Sequence, residues 1–325
     1  MGIKLLPLAA ESLGVRSMCT YIETPDVRLL LDAGAALGPR FGLLPHPQEY
    51  RALAAARRAI REFSQKADLI TVSHYHYDHF THPWPNVEAL WTWCSRHEAQ
   101  EVYGGKRVYI KDYRSKINAS QRRRGYEFYK EVSSFAELVP ADGLELRFGP
   151  TLVKFLGPFT HGEEAGGLGY VLCVLVKRDA ESLCFYPDLQ GPLDEGALEL
   201  LKRERPQVLI LGGPPVYLRG YKVTEEQIAK AIANLKRAIA LVGEVALIEH
   251  HLLRDAEGLR LLEVIKEEAR GRGVRVGTFA EFRDMKPNPL EARRTELYQK
   301  DPPDKEFIRW TRLPPEERAH RLPPL

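Results

Sequence analysis

The apolar residues near the start of the chain come in short bursts separated by turn formers. "IKLLPLAA", "MCTYIETP" and "VRLLLDAG" predict three short strands in an antiparallel opening. The period then changes. "PQEYRALAAARRAIREFSQKA" is alanine-rich with apolar residues at helical spacing, which predicts a helix. "DLITVS" returns to the β pattern as a buried strand. Residues 83 to about 142 are mixed, with a Trp-containing helix predicted near 88–102 and a basic helix near 117–137. "LELRFG", "TLVKFLG", "LGYVLCVLVKR" and "ESLCFYPD" form a second group of strands. Helices near 194–204, 224–242 and 255–270 then alternate with strands "QVLILGG", "EVALIEH" and "VRVGTF". Two β groups, each followed by αβ alternation, predict an α/β fold. Its architecture would be an αββα sandwich, two mixed sheets face to face with helices on the outer faces. One domain is expected over 1–284, with a basic insert at about 83–142. The Pro- and charge-rich extension at 285–325 is expected to hold one helix near 289–299 and then run as irregular chain, capping its own domain or embracing a second subunit of a homo-oligomer.

Composition narrows the class. At 325 residues the chain is long enough for a full core, and its 44% apolar and 28% charged residues are ordinary for a globular protein. No stretch approaches the roughly 18 to 20 apolar residues of a membrane span. The opening "MGIKLLPLAAESLGV" lacks a long apolar core behind a basic end, so no secretory signal is expected. Cys19, Cys94, Cys173 and Cys184 lie far apart without CxxC spacing, which suits a reduced, cytoplasmic protein with free thiols. A net charge of +3 does not by itself imply nucleic-acid binding. Four asparagines amid abundant Glu, Lys and Arg lean toward a thermophile.

The candidate chemistry follows the strand "DLITVS". "HYHYDH" packs His74, His76, Asp78 and His79 into six residues, three of the chain's ten histidines. In an extended segment side chains alternate, so His74 and His76 face the same way and can hold one ion. Asp78 and His79 follow where the chain turns and can aim at a neighbouring ion. Imidazole and carboxylate without thiolate suit zinc, and also iron or manganese. One loop cannot complete a two-metal site, so further donors should arrive at other strand ends. His161 follows "TLVKFLGPFT", Asp188 follows "SLCFYP", and His250 and His251 follow "EVALIE". Singly these read as a loop histidine, a turn aspartate and a helix start. Together they mark the C-terminal strand edge where α/β folds build sites.

In these residues the chain resembles the metallo-β-lactamase superfamily, and within it an archaeal branch of predicted hydrolases, through "SHYHYDHF", "LGGPPVYL" and "EHHLLRD". The resemblance covers roughly residues 1 to 280. It implies two divalent ions: His74, His76 and His161 on the first, Asp78, His79 and His250 (or His251) on the second, and Asp188 bridging. Asp32 in "LLLDAG" would hydrogen-bond the histidine loop rather than hold metal. The implied nucleophile is a hydroxide from a water shared by the two ions. Asp188 in place of a cysteine separates the chain from the β-lactamase branch and points to ester or phosphodiester hydrolysis.

Substrate clues are fewer. Residues 106–124 hold eight Lys or Arg against one Asp, a charge of +7, interleaved and flanked with Tyr109, Tyr113 and Tyr126. Such a segment could steer single-stranded nucleic acid, or be a solvated basic helix. Tyr217 and Arg219 in "LGGPPVYLRGY" are candidate substrate-binding residues, and Trp84, Trp91 and Trp93 read as packing. Phosphodiester hydrolysis is thus the first expectation. A small acyl ester, thioester or lactone hydrolase is the alternative, and a non-catalytic metal-binding protein the third. Only about 60 residues separate Asp188 from His250, too few for the extra domain common in nuclease branches of the superfamily.

Overall fold

The computed structural model describes residues 2–85, 91–162 and 167–325. Among these, the strands form two sheets. The first takes β1 (Lys4–Pro7), β2 (Thr20–Glu23), β3 (Arg28–Leu31), β4 (Leu69–Val72), β5 (Arg107–Ile110) and β6 (Glu137–Pro140), in that spatial order. The second takes β7 (Glu145–Phe148), β8 (Thr151–Thr160), β9 (Tyr170–Arg178), β10 (Glu181–Tyr186), β11 (Val208–Gly212), β12 (Val245–Glu249) and β13 (Arg275–Gly277), again consecutively. Each sheet begins antiparallel and turns parallel, at β3–β4 and at β10–β11.

Side-chain alternation builds the layers. Leu29 and Leu31 of β3 enter the core between the sheets with Leu183 and Phe185 of β10 and Ile210 of β11. The intervening Leu30, with Ile70, Val72, Val108 and Ile110, faces helices α1 (Pro47–Lys66), α2 (Arg96–Tyr103) and α3 (Ala119–Val132). Cys184, Tyr186, Leu209 and Leu211 face α4 (Glu195–Glu204), α5 (Glu225–Ile239) and α6 (Ala256–Arg270) on the other side. A period of two in each strand therefore feeds two different cores, and the αββα sandwich follows. No described helix is long and apolar enough to cross a membrane. All four cysteines are free and buried.

The stretch 83–142 departs from its sequence reading as a basic insert. It supplies β5 and β6, the parallel half of the first sheet, with α2 and α3 over them. "RVYI" is four residues long and flanked by charge, so its period was too short to stand out. Residues 86–90, which begin the helix expected near 88–102, lie outside the described residues; the helix itself runs Arg96–Tyr103.

The chain beyond 285 also differs from expectation. It forms the short helices α8 (Arg294–Lys300), α9 (Lys305–Thr311) and α10 (Pro315–His320), following α7 (Phe279–Phe282). Their anchors are specific. Arg294 is fully buried and grips Glu49 at the start of α1, at 2.7 and 2.5 Å. Trp310 and Phe307 stack edge-on against Tyr50 of α1, ring centres 5.4 and 5.7 Å apart. Removing one partner of a buried ion pair strands the other charge. Arg294→Met should therefore lower stability by about 3 kcal/mol. Chemical denaturation, with exposed Lys300→Met as a near-neutral control, measures it.

Candidate metal centre

Five strands end at one edge of the sandwich, and the candidate residues lie just past those ends. Asp32 follows β3, Ser73 to His79 follow β4, His161 follows β8, Asp188 follows β10, and His250 and His251 follow β12. Asp32, Asp188 and His250 all adopt left-handed backbone, with φ of 49°, 49° and 68°. For residues with a β-carbon each such turn costs about 1–3 kcal/mol and persists only where its surroundings enforce it. Two glycines make the approach possible. A β-carbon on Gly34 would lie 2.1 Å from Phe80 N, and one on Gly212 would lie 2.7 Å from Asp188 N.

The donors converge on Asp188. Its Oδ2 lies 2.5 Å from His161 Nε2, 3.4 Å from His74 Nε2, 3.6 Å from His76 Nδ1, 3.7 Å from His79 Nε2 and 3.5 Å from His250 Nε2. Its Oδ1 lies 3.0 Å from His251 Nε2. His250 Nε2 is also 3.3 Å from His79 Nε2 and 3.7 Å from Asp78 Oδ2. Two groupings stand out: His74, His76, His161 and Asp188, beside Asp78, His79 and His250.

The outer hydrogen bonds set which ring nitrogen is free. Asp32 accepts from Ser73 N (2.8 Å), Ser73 Oγ (2.5 Å) and His79 Nδ1 (2.8 Å). Because the Ser73 hydroxyl donates to Asp32, it can accept from His74 Nδ1, 2.9 Å away. Nδ1 thus carries the hydrogen in both rings, leaving the Nε2 lone pairs of His74 and His79 facing a carboxylate. Lone pairs do not hydrogen-bond to lone pairs. His74 Nε2, 3.4 Å from Asp188 Oδ2, is accordingly buried without a hydrogen bond. A divalent cation between them resolves that arrangement, so the donor set fits a metal.

The electrostatics of His74 and His76 agree, while at His250 burial is outweighed by the Glu11 and Asp188 carboxylates, which raise the ring above its ordinary range. Burial and then His79 push His74 well below the usual imidazole range, and burial and His161 bring His76 down to about 4. Both rings are therefore neutral at pH 7 and able to donate a lone pair. Burial acts to raise the carboxyls of Asp78 and Asp188, but His79, His250 and Arg254 around the first and His161, His250 and His251 around the second outweigh it and hold both well below their ordinary range.

Relatives that align along nearly the whole chain occur among archaea. A UPF0282 protein of Pyrobaculum calidifontis is 42% identical over 297 residues, which is 91% of this chain and 95% of that one. One of Korarchaeum cryptofilum is 39% identical over 309 residues, 94% of this chain and 98% of that one. The chain belongs to the UPF0282 family. No protein-family model matches this UPF0282 chain. Among solved structures it resembles the metallo-β-lactamase fold protein YhfI of Bacillus subtilis, with 12% identity and a TM-score of 0.49 over 85% of this chain and 95% of that one.

Several site residues of the UPF0282 chain carried no sequence signal. Glu11 lies 3.1 Å from His250 Nδ1 and receives Arg254 Nε at 2.8 Å, while Arg254 Nη2 reaches Asp78 Oδ2 at 3.1 Å. Gln121 of α3 lies 3.4 Å from His76 Nε2, and Gln190 lies 3.3 Å from His161 Nδ1. Only Arg254, four residues past His250, was placed where a helical turn would bring it back. Of the two substrate-binding candidates, Tyr217 touches His251 Nδ1 at 2.8 Å. Arg219 instead pairs with Glu257 (2.9 Å) and Glu225 (3.5 Å). Because Asp32 orients two rings at once, Asp32→Ala should weaken metal binding about 10- to 100-fold. Competition with a chelator measures this, and Arg219→Ala should leave the affinity unchanged.

Proposed function

We propose that this protein is a metal-dependent hydrolase with two divalent ions, acting on phosphodiester bonds in small, nucleotide-sized substrates. The observation that carries the reading is the buried facing of imidazole lone pairs and the Asp188 carboxylate, with Asp32 and Ser73 holding the rings in that tautomer. His74, His76 and His161 would hold one ion, Asp78, His79 and His250 the other, and Asp188 would stand between them. When bound, such a pair supplies Lewis acidity toward the scissile group and lowers the pKa of water. Zinc fits the nitrogen and oxygen donors, as do iron and manganese.

The second histidine of "EHH" has a different role in this reading. The Tyr217 hydroxyl can donate to His251 Nδ1, which leaves the hydrogen on Nε2, pointed at Asp188 Oδ1. His251 then fixes the angle of Asp188. His250, whose Nδ1 faces the Glu11 carboxylate, keeps Nε2 for an ion.

The basic segment lends less to a polynucleotide than its charge suggests. Lys111 is fully buried against Asp142, 2.6 Å away. Arg107 pairs with Glu137, Arg114 with Asp112 and Arg123 with Glu127. Arg124 donates to Tyr75 O and Ser120 Oγ. Tyr109 is buried between the sheets, stacked on Phe155. Carboxylates outside the segment thus offset three of its seven net charges, and Lys111 and Tyr109 are withdrawn from the surface, which favours a small substrate over a tracked strand.

Metal-replete protein should hydrolyse a small chromogenic phosphodiester, with Asp188→Ala reduced to background. The rate should change little with salt, whereas cleavage of end-labelled RNA or DNA through a charged track would fall steeply. Turnover of acyl esters alone would replace the phosphodiester reading with the acyl one.

A further inference from the structure

Arg40 stands beside the candidate centre, its guanidinium partly buried and incompletely partnered. Its backbone is fixed by a tight turn: Arg40 N donates to Leu43 O at 2.9 Å and Leu43 N to Arg40 O at 2.8 Å. Phe41 and Gly42 between them have φ of 55° and 70°, the positive pair that a two-residue hairpin turn of the primed type requires. From this base the guanidinium carbon lies 3.4 Å from the centre of the Tyr217 ring. Tyr217 in turn touches His251. A second link runs from Arg40 Nη2 to Arg254 O at 3.3 Å, and Arg254 reaches Asp78. Arg40 is therefore tied to the rim of the cluster by two separate routes.

Its hydrogen bonding is far from complete. A guanidinium has five N–H donors, and Arg40 Nε is buried without an acceptor. The carboxylate facing it, Glu291, is 3.6 Å from Nε. Both Glu291 oxygens are already taken by Arg16, at 2.6 and 2.7 Å. Arg16 holds Glu291 and Arg254 holds Glu11 and Asp78 closely, and Arg40 is the guanidinium of the three with the loosest pairing. Burial makes that charge costly, and Arg16 and Arg254 oppose it further, against the help of Glu291 and Tyr217. An anion reaching the exposed part of the guanidinium would complete its pairing in the bidentate manner that suits Arg. Phe41, 54% exposed and 5.2 Å from the Arg40 guanidinium, extends the same wall outward.

We propose that Arg40, flanked by Tyr217 and Phe41, binds an anionic group of the substrate, a phosphate or a carboxylate separate from the bond cleaved at the His/Asp cluster. The word substrate rests on the hydrolase reading above; the anion site does not require turnover. The substrate would then be an ester bearing a second negative charge.

Calorimetric titration of the full-length, metal-replete protein tests this with inorganic phosphate and, separately, malonate. Wild type should bind at least one of them about tenfold or more tightly than Arg40→Met does, the scale of charge-assisted hydrogen bonds lost. Arg40→Lys, which keeps the charge on a similar stem, should retain part of that affinity while holding the same metal content. It keeps the comparison usable should Arg40→Met fold poorly. The anion with the larger loss identifies the substrate's group. Equal affinities for wild type and both variants, with either anion, would overturn the proposal. Failure of the hydrolase reading looks different: no ester is turned over, yet Arg40-dependent anion binding persists.

Discussion

Asp188 is the point on which the centre depends, and the constraint there is the crowding of donors out of water, contained by the fold. Its carboxylate takes a hydrogen bond from His161, whereas His74 Nε2 faces it as a lone pair without one. The sandwich assembles the group by delivering its members from the ends of β4, β8, β10 and β12, and by accepting left-handed backbone at Asp32, Asp188 and His250. Gly34 and Gly212 allow the loops to close to distances that any other residue would forbid. The stability lost at this edge has to be recovered in the three apolar cores, which is where the regular alternation of the strands matters.

Most of the donors could be read from the sequence because they obey a local rule. "HYHYDH" follows an apolar strand, and His161, Asp188 and His250 each follow another, so strand ends and donor types coincide. The same rule explains the second sheet, since apolar runs of four or more residues dominate β9 to β12. What escaped was non-local or too short. β5 and β6 are four residues each and sit among charges, so the parallel half of the first sheet looked like an insertion. Glu11 and Arg40 precede the histidine loop by dozens of residues, and only the docking of the two sheets brings them near His250 and Tyr217. The tail is legible only in part: its first helix lies close to the expected range, but the Pro-rich composition hides α9, α10 and the anchors Arg294, Phe307 and Trp310, which follow no period.

Charge in this chain is organised by pairing rather than by patches. Arg294 with Glu49, Arg16 with Glu291, and Arg254 with Glu11 are all buried or nearly so, and each joins segments distant in sequence. The segment 106–124 shows the same habit in part, where Glu137, Asp142 and Glu127 offset three charges of a run that looks strongly basic when read alone. Within that pattern an incompletely paired guanidinium is an exception, and it occurs next to the His/Asp cluster.

The strand order carries a consequence for how the centre comes into being. Each sheet adds its strands in the order the ribosome makes them, every new strand pairing with the one just before it. Sheet assembly can therefore keep pace with synthesis, since it never waits for a distant partner. The centre cannot. Asp32 and the histidine loop belong to the first sheet, whereas His161, Asp188 and His250 belong to the second, and the last of them emerges when about three quarters of the chain has been made. A growing chain thus displays the "HYHYDH" loop alone, a partial chelator, until the second sheet docks. Metal selection is deferred to a nearly finished fold, in which cavity shape, and not the first available ion, decides what is held.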